Sequence, residues 1–232
     1  MTVEAHIPDS RFGTAVATTG LQAHAVDFEA PRSPRPLRMA GDDRETGAAA
    51  VFSVCGSRGQ LLPRFGAFTY DSPWLAGRTR CERCSWVVAL TRGTVEQEIE
   101  LYAGETTAEH GGDLLRQIFT SILADAPPEG GQAQVGHRSD LLAHAARHRP
   151  VLTVCEECGD AGCEAAHGPG VDRCPHASSV CLECSFVAGS WAGEWEGTIA
   201  AECEVPSPCS TLVALAHHYG ISLPVSEGRD GG

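Results

Sequence analysis

Lysine is missing from this chain. All 17 basic residues are arginine, and 30 Asp and Glu residues leave a formal charge of −13 over 232 residues. Beside many Ala, Gly and Arg, the missing lysine points to a GC-rich, bacterial coding sequence. The acidity is concentrated toward the end: residues 151–232 hold 12 Asp and Glu against 2 Arg, whereas residues 51–150 hold 11 against 10. Nucleic-acid binding is driven by neutralising phosphates with cations, so the second half should repel a phosphate backbone. No apolar run approaches 18 residues, so no membrane-spanning helix is expected, nor a membrane partner. The opening Met1-Thr2-Val3-Glu4-Ala5-His6 has no charged-then-apolar secretion pattern. A reduced cytoplasm is therefore expected, with the 11 cysteines serving as metal-bound thiolates rather than as a disulfide framework.

Patterns of catalysis are missing as well. There is no paired-carboxylate motif, no Gly-rich phosphate loop and no nucleophile–base signature. Pro208-Cys209 runs into Ser210-Thr211-Leu212, which breaks the Pro-Cys-x-x-Cys of zinc deaminases. The chain reads as no enzyme, and a zinc enzyme is the last of three functional classes considered.

What the chain does have is cysteine pairs. Cys155-x-x-Cys158 and Cys181-x-x-Cys184 are separated by 22 residues, a spacing suited to one tetrahedral four-thiolate zinc site. An iron–sulfur cluster would use the same four residues. Between the pairs lie Cys163, His167, Cys174 and His176, which could form a second site, so that one zinc ion is expected and two are allowed. The frame recurs 100 residues earlier. Val51-Phe52-Ser53-Val54-Cys55 matches Val151-Leu152-Thr153-Val154-Cys155, and Cys81-Glu82-Arg83-Cys84-Ser85 matches Cys181-Leu182-Glu183-Cys184-Ser185. We read this as a tandem duplication. The first copy is degenerate: Cys55, Cys81 and Cys84 remain, but Arg58 stands where Cys158 does, and a guanidinium does not ligate. Asp71, His24 or His110 could complete that set; a metal-free first copy held by its core is the preferred expectation.

The knuckle pairs of residues 151–204 resemble zinc ribbons, in which two Cys-x-x-Cys turns share an ion and a β-hairpin leaves the second. A cross-braced arrangement resembling RING-type modules could engage all eight donors of the second copy. The resemblance is structural and implies no single function. The expected fold is α+β: two tandem zinc-ribbon-like hairpin units, each followed by a helix. Residues 1–50 are expected as an N-terminal arm and linker, with a weak hairpin over 11–28. The degenerate unit spans 51–130, a linker and short helix 131–150, the second unit 151–224 and a tail 225–232. Strands are expected at Ser85–Thr91 and Val95–Tyr102, with Glu96, Glu98 and Glu100 on the open face, and at Ser185–Trp191 and Trp195–Glu204. A helix opening at Asp113 should bury Leu115, Ile118, Phe119 and Ile122. A second, capped by Ser139, carries His137, His144 and His148 on a solvated face. A third runs from Ser210 to Tyr219.

Trp86 and Phe186 are expected to shield the metal, and Trp191 and Trp195 to flank a hairpin turn. Arg78, Arg80, Arg83 and Arg92 crowd the first knuckle as a contact patch, for which the acidic second half of the same chain is the first choice. The functional expectation is a zinc-stabilised interaction or regulatory protein with a protein partner. A nucleic-acid-binding accessory protein using that arginine patch is the alternative.

Overall fold

The computed structural model describes residues 11–17, 22–27, 29, 50–61, 68, 80–104, 111–125, 132–185 and 203–223. Several expectations lie outside these residues: the strands beyond Ser185, with Phe186, Trp191 and Trp195; Arg78; Asp71 and His110; and most of the two expected linkers. The architecture is mixed, with helices and small antiparallel sheets. The chain forms two compact units, Met1–Thr94 and Val95–Gly232.

The first unit is built on a four-stranded antiparallel sheet in the order β2-β1-β4-β3. Strands β1 (Phe12–Ala17) and β2 (Ala23–Asp27) form the hairpin expected near the N-terminus, in the register Phe12↔Asp27 to Val16↔Ala23. Strands β3 (Ala50–Phe52) and β4 (Arg58–Leu61) form a second hairpin. Its loop holds Cys55 and turns at Gly56, whose φ of 86° is open to glycine at no steric cost. Helix α1 (Glu82–Arg92) follows. Phe12, Ala25, Phe68, Cys81, Cys84 and Val88 pack together as a buried cluster, with Val54 and Cys55 at its margin.

The second unit is mostly helical: α2 (Val95–Ala103), α3 (Gly112–Ala124), α4 (Gln132–Arg147), α5 (Glu156–Ala161), α6 (Cys163–His167), α7 (Leu182–Ser185) and α8 (Ser210–His218). A two-stranded antiparallel sheet joins β5 (Pro150–Thr153) to β6 (Ser178–Cys181). Helix α3 is its centre, packed by α2, α4 and α8. Leu115, Ile118, Phe119 and Ile122 are buried as expected, with Leu114 beside them and the rings of Phe119 and Tyr102 6.3 Å apart. Opposite them stand Leu142, Ala145 and Ala146 of α4 and Leu212 and Ala216 of α8, also buried. Helix α8 ends on a paired carbonyl cap: Gly220 N–H donates to His217 and Ile221 N–H to Ala216, with Gly220 at φ 65°.

Three expectations are corrected. Residues 85–102 form helices α1 and α2 rather than a hairpin, and Gly93 (φ 71°) closes the first helix instead of a β-turn. The alternation of Val95-Glu96-Gln97-Glu98-Ile99-Glu100 reads as a strand, but Glu, Gln and Leu are strong helix formers. Next, Ser139 does not cap a short helix: it is buried inside the longer α4, its hydroxyl donating to the Gly136 carbonyl. Finally, among the described residues the repeat does not carry over into topology. Strand β3 pairs with β4, whereas β5 pairs with β6, and the counterpart of β4 is helix α5. The divergence is in place by residue 56, where Gly56 turns at φ 86° while Glu156 opens helix α5. Cys158 in a Cys-x-x-Cys turn lies in a helical turn, while Arg58 at the matching place begins a strand.

Glu98 is the outcome of the helical wind. It is 2 % exposed rather than on an open face, one turn before buried Tyr102. Burial pushes its carboxyl up to about 8, against a hydrogen bond from Tyr102 that pulls it down. Between the ordinary carboxyl range and pH 8 the unfolded chain is ionised while the folded chain keeps the proton. Stability from this group is thus full at low pH and is lost as pH rises to about 8. Glu98→Gln should therefore stabilise the protein relative to wild type by a margin that widens from pH 6 to pH 8, on the order of a few kcal/mol. Parallel urea titrations of the two proteins would show it; a margin independent of pH would contradict the assignment.

Candidate metal centres

Three sets of side chains converge, each with three cysteines and one histidine: His24, Cys55, Cys81 and Cys84; Cys155, Cys158, His167 and Cys174; and His148, Cys181, Cys184 and Cys209. Within each set the potential ligand atoms all lie within 4.8 Å of one another, so each could hold a metal ion. A tetrahedron with zinc–sulfur bonds of about 2.3 Å and a zinc–nitrogen bond of about 2.0 Å has N···S edges of about 3.6 Å and S···S edges of about 3.8 Å. The N···S distances observed, 3.3–3.8 Å, fall around the first of these.

The first set is assembled on an edge strand. His24 lies on β2, and the carbonyls either side of it are taken by the segments that bring the cysteines. Val54 N–H donates to Ala25 at 2.8 Å, which positions the Cys55 loop; Cys81 N–H donates to Ala23 at 2.9 Å, which positions the start of α1. A parallel bridge between Ala23 and Arg80 extends the second contact. His24 Nδ1 then stands 3.3 Å from Cys55 Sγ and 3.8 Å from Cys84 Sγ. Ser53 Oγ lies 3.0 Å from Cys55 Sγ, and the Cys55 thiol donates to the Ser57 hydroxyl oxygen at 3.4 Å. The Arg83 guanidinium donates to the Cys55 carbonyl. Such outer contacts fix a ligand's orientation. The protons are shared unevenly. Hydrogen bonds from Cys81 and Cys84 hold the Cys55 thiol far down, contacts with Cys55 and Cys81 hold Cys84 up, and the bond to Cys55 raises His24 to about 9. A metal entering here would displace the protons of Cys84 and His24.

The second set is compact in sequence. Cys155 is the N-cap of α5 and Cys158 sits three residues on; His167 ends α6, and Cys174 follows in the loop. His167 Nε2 lies 3.4 Å from Cys155 Sγ and 3.7 Å from Cys174 Sγ. A backbone hydrogen bond from Cys155, with others from His176 and His167, lowers the Cys174 thiol to about 6, so it is a thiolate at neutral pH.

The third set encloses the second in sequence. His148, just past α4, places Nδ1 3.5 Å from Cys181 Sγ, 3.5 Å from Cys184 Sγ and 3.6 Å from Cys209 Sγ, three nearly equal edges. Cys181 is clamped on both sides, its N–H donating to Val205 and the next N–H, of Leu182, donating to Arg149. The 205–207 segment runs along β6 through a Val180↔Pro206 bridge and delivers Cys209 as the N-cap of α8. Burial pushes the Cys209 thiol up, but the N–H groups of Leu212 and Thr211 and the thiols of Cys181 and Cys184 outweigh it and draw it down. Burial and the neighbouring His144 lower His148, which keeps its imidazole neutral and able to ligate.

The Cys155, Cys158, Cys181 and Cys184 tetrad expected from spacing is thus divided between two sets. Of the inner residues, His167 and Cys174 join Cys155 and Cys158. Cys163 and His176 stay outside the set, with Cys163 Sγ 3.3 Å from Cys158 Sγ and the His176 ring 5.6 Å from that of His167. The Cys55, Cys81 and Cys84 set is completed by His24, one of the three residues considered for it. Sequence reasoning missed His148 and Cys209. His148 was grouped with exposed His137 and His144, yet it is only 8 % exposed, and Pro-Cys just ahead of a helix was the signal at Cys209. In the arginine patch, Arg83 binds the Cys55 carbonyl and Arg92 lies 5.4 Å over the Phe12 ring. Trp86 is fully buried on α1. No helix of the described residues is long and apolar enough to cross a membrane. No protein-family model, curated protein or solved structure matches the chain.

The division of cysteines has a direct test. Cys158→Ser and Cys181→Ser should each cost one bound metal ion per chain, and the double variant two. If one tetrad used both residues, the double variant would lose no more metal than either single one.

Proposed function

We propose that the protein is a zinc-stabilised interaction or regulatory protein rather than an enzyme. The observation that supports this reading is the repeated Cys₃His donor set. Three thiolates and one imidazole within 4.8 Å of one another suit zinc. Four protein donors per ion close the coordination sphere, which is the structural form; catalytic zinc keeps a position open for water. Nine of the eleven cysteines fall in these sets, three in each, and all eleven are free thiols, which fits a reducing compartment such as a bacterial cytoplasm. The reading calls for three zinc ions where one or two were expected from spacing.

A protein partner is favoured over nucleic acid. The chain is acidic overall, and Arg83 and Arg92 of the arginine patch are engaged within the first unit. The test is metal analysis with a binding assay. Purified protein should carry three zinc ions per chain, and strong chelation should lower its melting temperature. It should show no salt-dependent affinity for DNA or RNA. A metal-free protein with unchanged melting would refute the zinc reading. Salt-sensitive nucleic-acid binding would put the accessory-protein reading in its place.

A further inference from the structure

The second cluster has a feature that its two counterparts do not share among the described residues. Of the two cysteines outside the metal sets, Cys163 places its sulfur 3.3 Å from that of Cys158, a ligand. Both sit on very short helices, α5 of six residues and α6 of five, joined at Gly162. Gly162 is exposed at φ 84°, with nothing within 4 Å of where a Cβ would be. The two sulfurs need to close by little more than 1 Å to reach the bond length of about 2.05 Å. Cys163 is half-buried and its surroundings are open: Gly159, Asp160, Ala161, Gly162 and Glu164 are all exposed. A small oxidant can reach it.

We propose that Cys163 and Cys158 are a disulfide-forming pair through which a hydroperoxide releases the ion of the Cys155, Cys158, His167 and Cys174 set. This rests on the zinc reading above. The Cys163 sulfur attacks the peroxide, the O–O bond breaks, and the products are a sulfenic acid on Cys163 and water or an alcohol. The Cys158 sulfur then leaves the metal and attacks the Cys163 sulfur. The S–S bond forms as hydroxide departs and takes up a solvent proton. The two thiols together lose two electrons, and the peroxide gains them. Cys155, His167 and Cys174 remain, one thiolate short of a closed site, and the ion is lost to solvent. Thiol reductant reverses the step and lets zinc return.

The experiment uses the full-length, zinc-loaded protein with a chromogenic zinc chelator and a modest excess of hydrogen peroxide. One zinc ion per chain should be released, and peptide mass spectrometry should find Cys158 joined to Cys163. Cys163→Ser and Cys163→Ala should bind three ions before treatment and release none in the same time, while Cys203→Ser should behave as wild type. Zinc retained by the oxidised wild type would overturn the proposal. So would equal release from the Cys163 variants, or a disulfide between other residues. A Cys163 variant that binds only two ions would make Cys163 a ligand and also overturn it. A count below three in untreated wild type would fail the zinc reading itself, before any peroxide is added.

Discussion

Four donor atoms can meet at one point only if the segments that carry them are held to within a fraction of an ångström. In this protein most of those segments cannot hold themselves. The ligands ride on strands of four and five residues, helices of four to eleven residues and the residues at their ends. Helices shorter than about 12 residues are marginal alone, so such elements depend on tertiary contacts. A bound ion would supply the missing contact, and its binding free energy would become folding free energy. The dependence differs across the chain. Helix α3 has an apolar core of its own in Leu115, Ile118, Phe119 and Ile122, whereas the 155–174 segment has few buried side chains beyond its ligands.

One device recurs in all three centres. Each Cys-x-x-Cys pair sits at the start of a helix, the first Cys just before it and the second one turn in. The turn puts both sulfurs on the same side, and the unpaired N–H groups there favour thiolate over thiol. Cys209 repeats the arrangement singly at α8. The histidines come from three unlike settings: an edge strand for His24, the residue after α4 for His148 and the end of α6 for His167.

The amino-acid pattern revealed the pairs and not the partners. Cys-x-x-Cys is a local motif, so its chemistry could be read directly. The remaining ligands are set by tertiary approach: His24 lies 60 residues from Cys84, and His148 lies 61 from Cys209. No spacing rule spans such distances, so Cys155, Cys158, Cys181 and Cys184 were joined because they were nearest in sequence. The α3 stripe was legible because its apolar residues recur at helical spacing. The segment 85–102 was not, because Trp86-Val87-Val88 and the Val95–Glu100 alternation carry the marks of strands, while the helix start at Cys81 overrides the first and the helix-forming Glu and Gln residues the second. The hidden burial of Glu98 follows from that same misreading.

The central claim is that each centre joins three sulfurs to one imidazole. X-ray absorption at the zinc edge of the fully loaded protein tests it most directly, because it counts sulfur and nitrogen neighbours without reference to sequence. The account predicts an average first shell of three sulfurs at about 2.3 Å and one nitrogen at about 2.0–2.1 Å. A shell of four sulfurs with no imidazole contribution would contradict it.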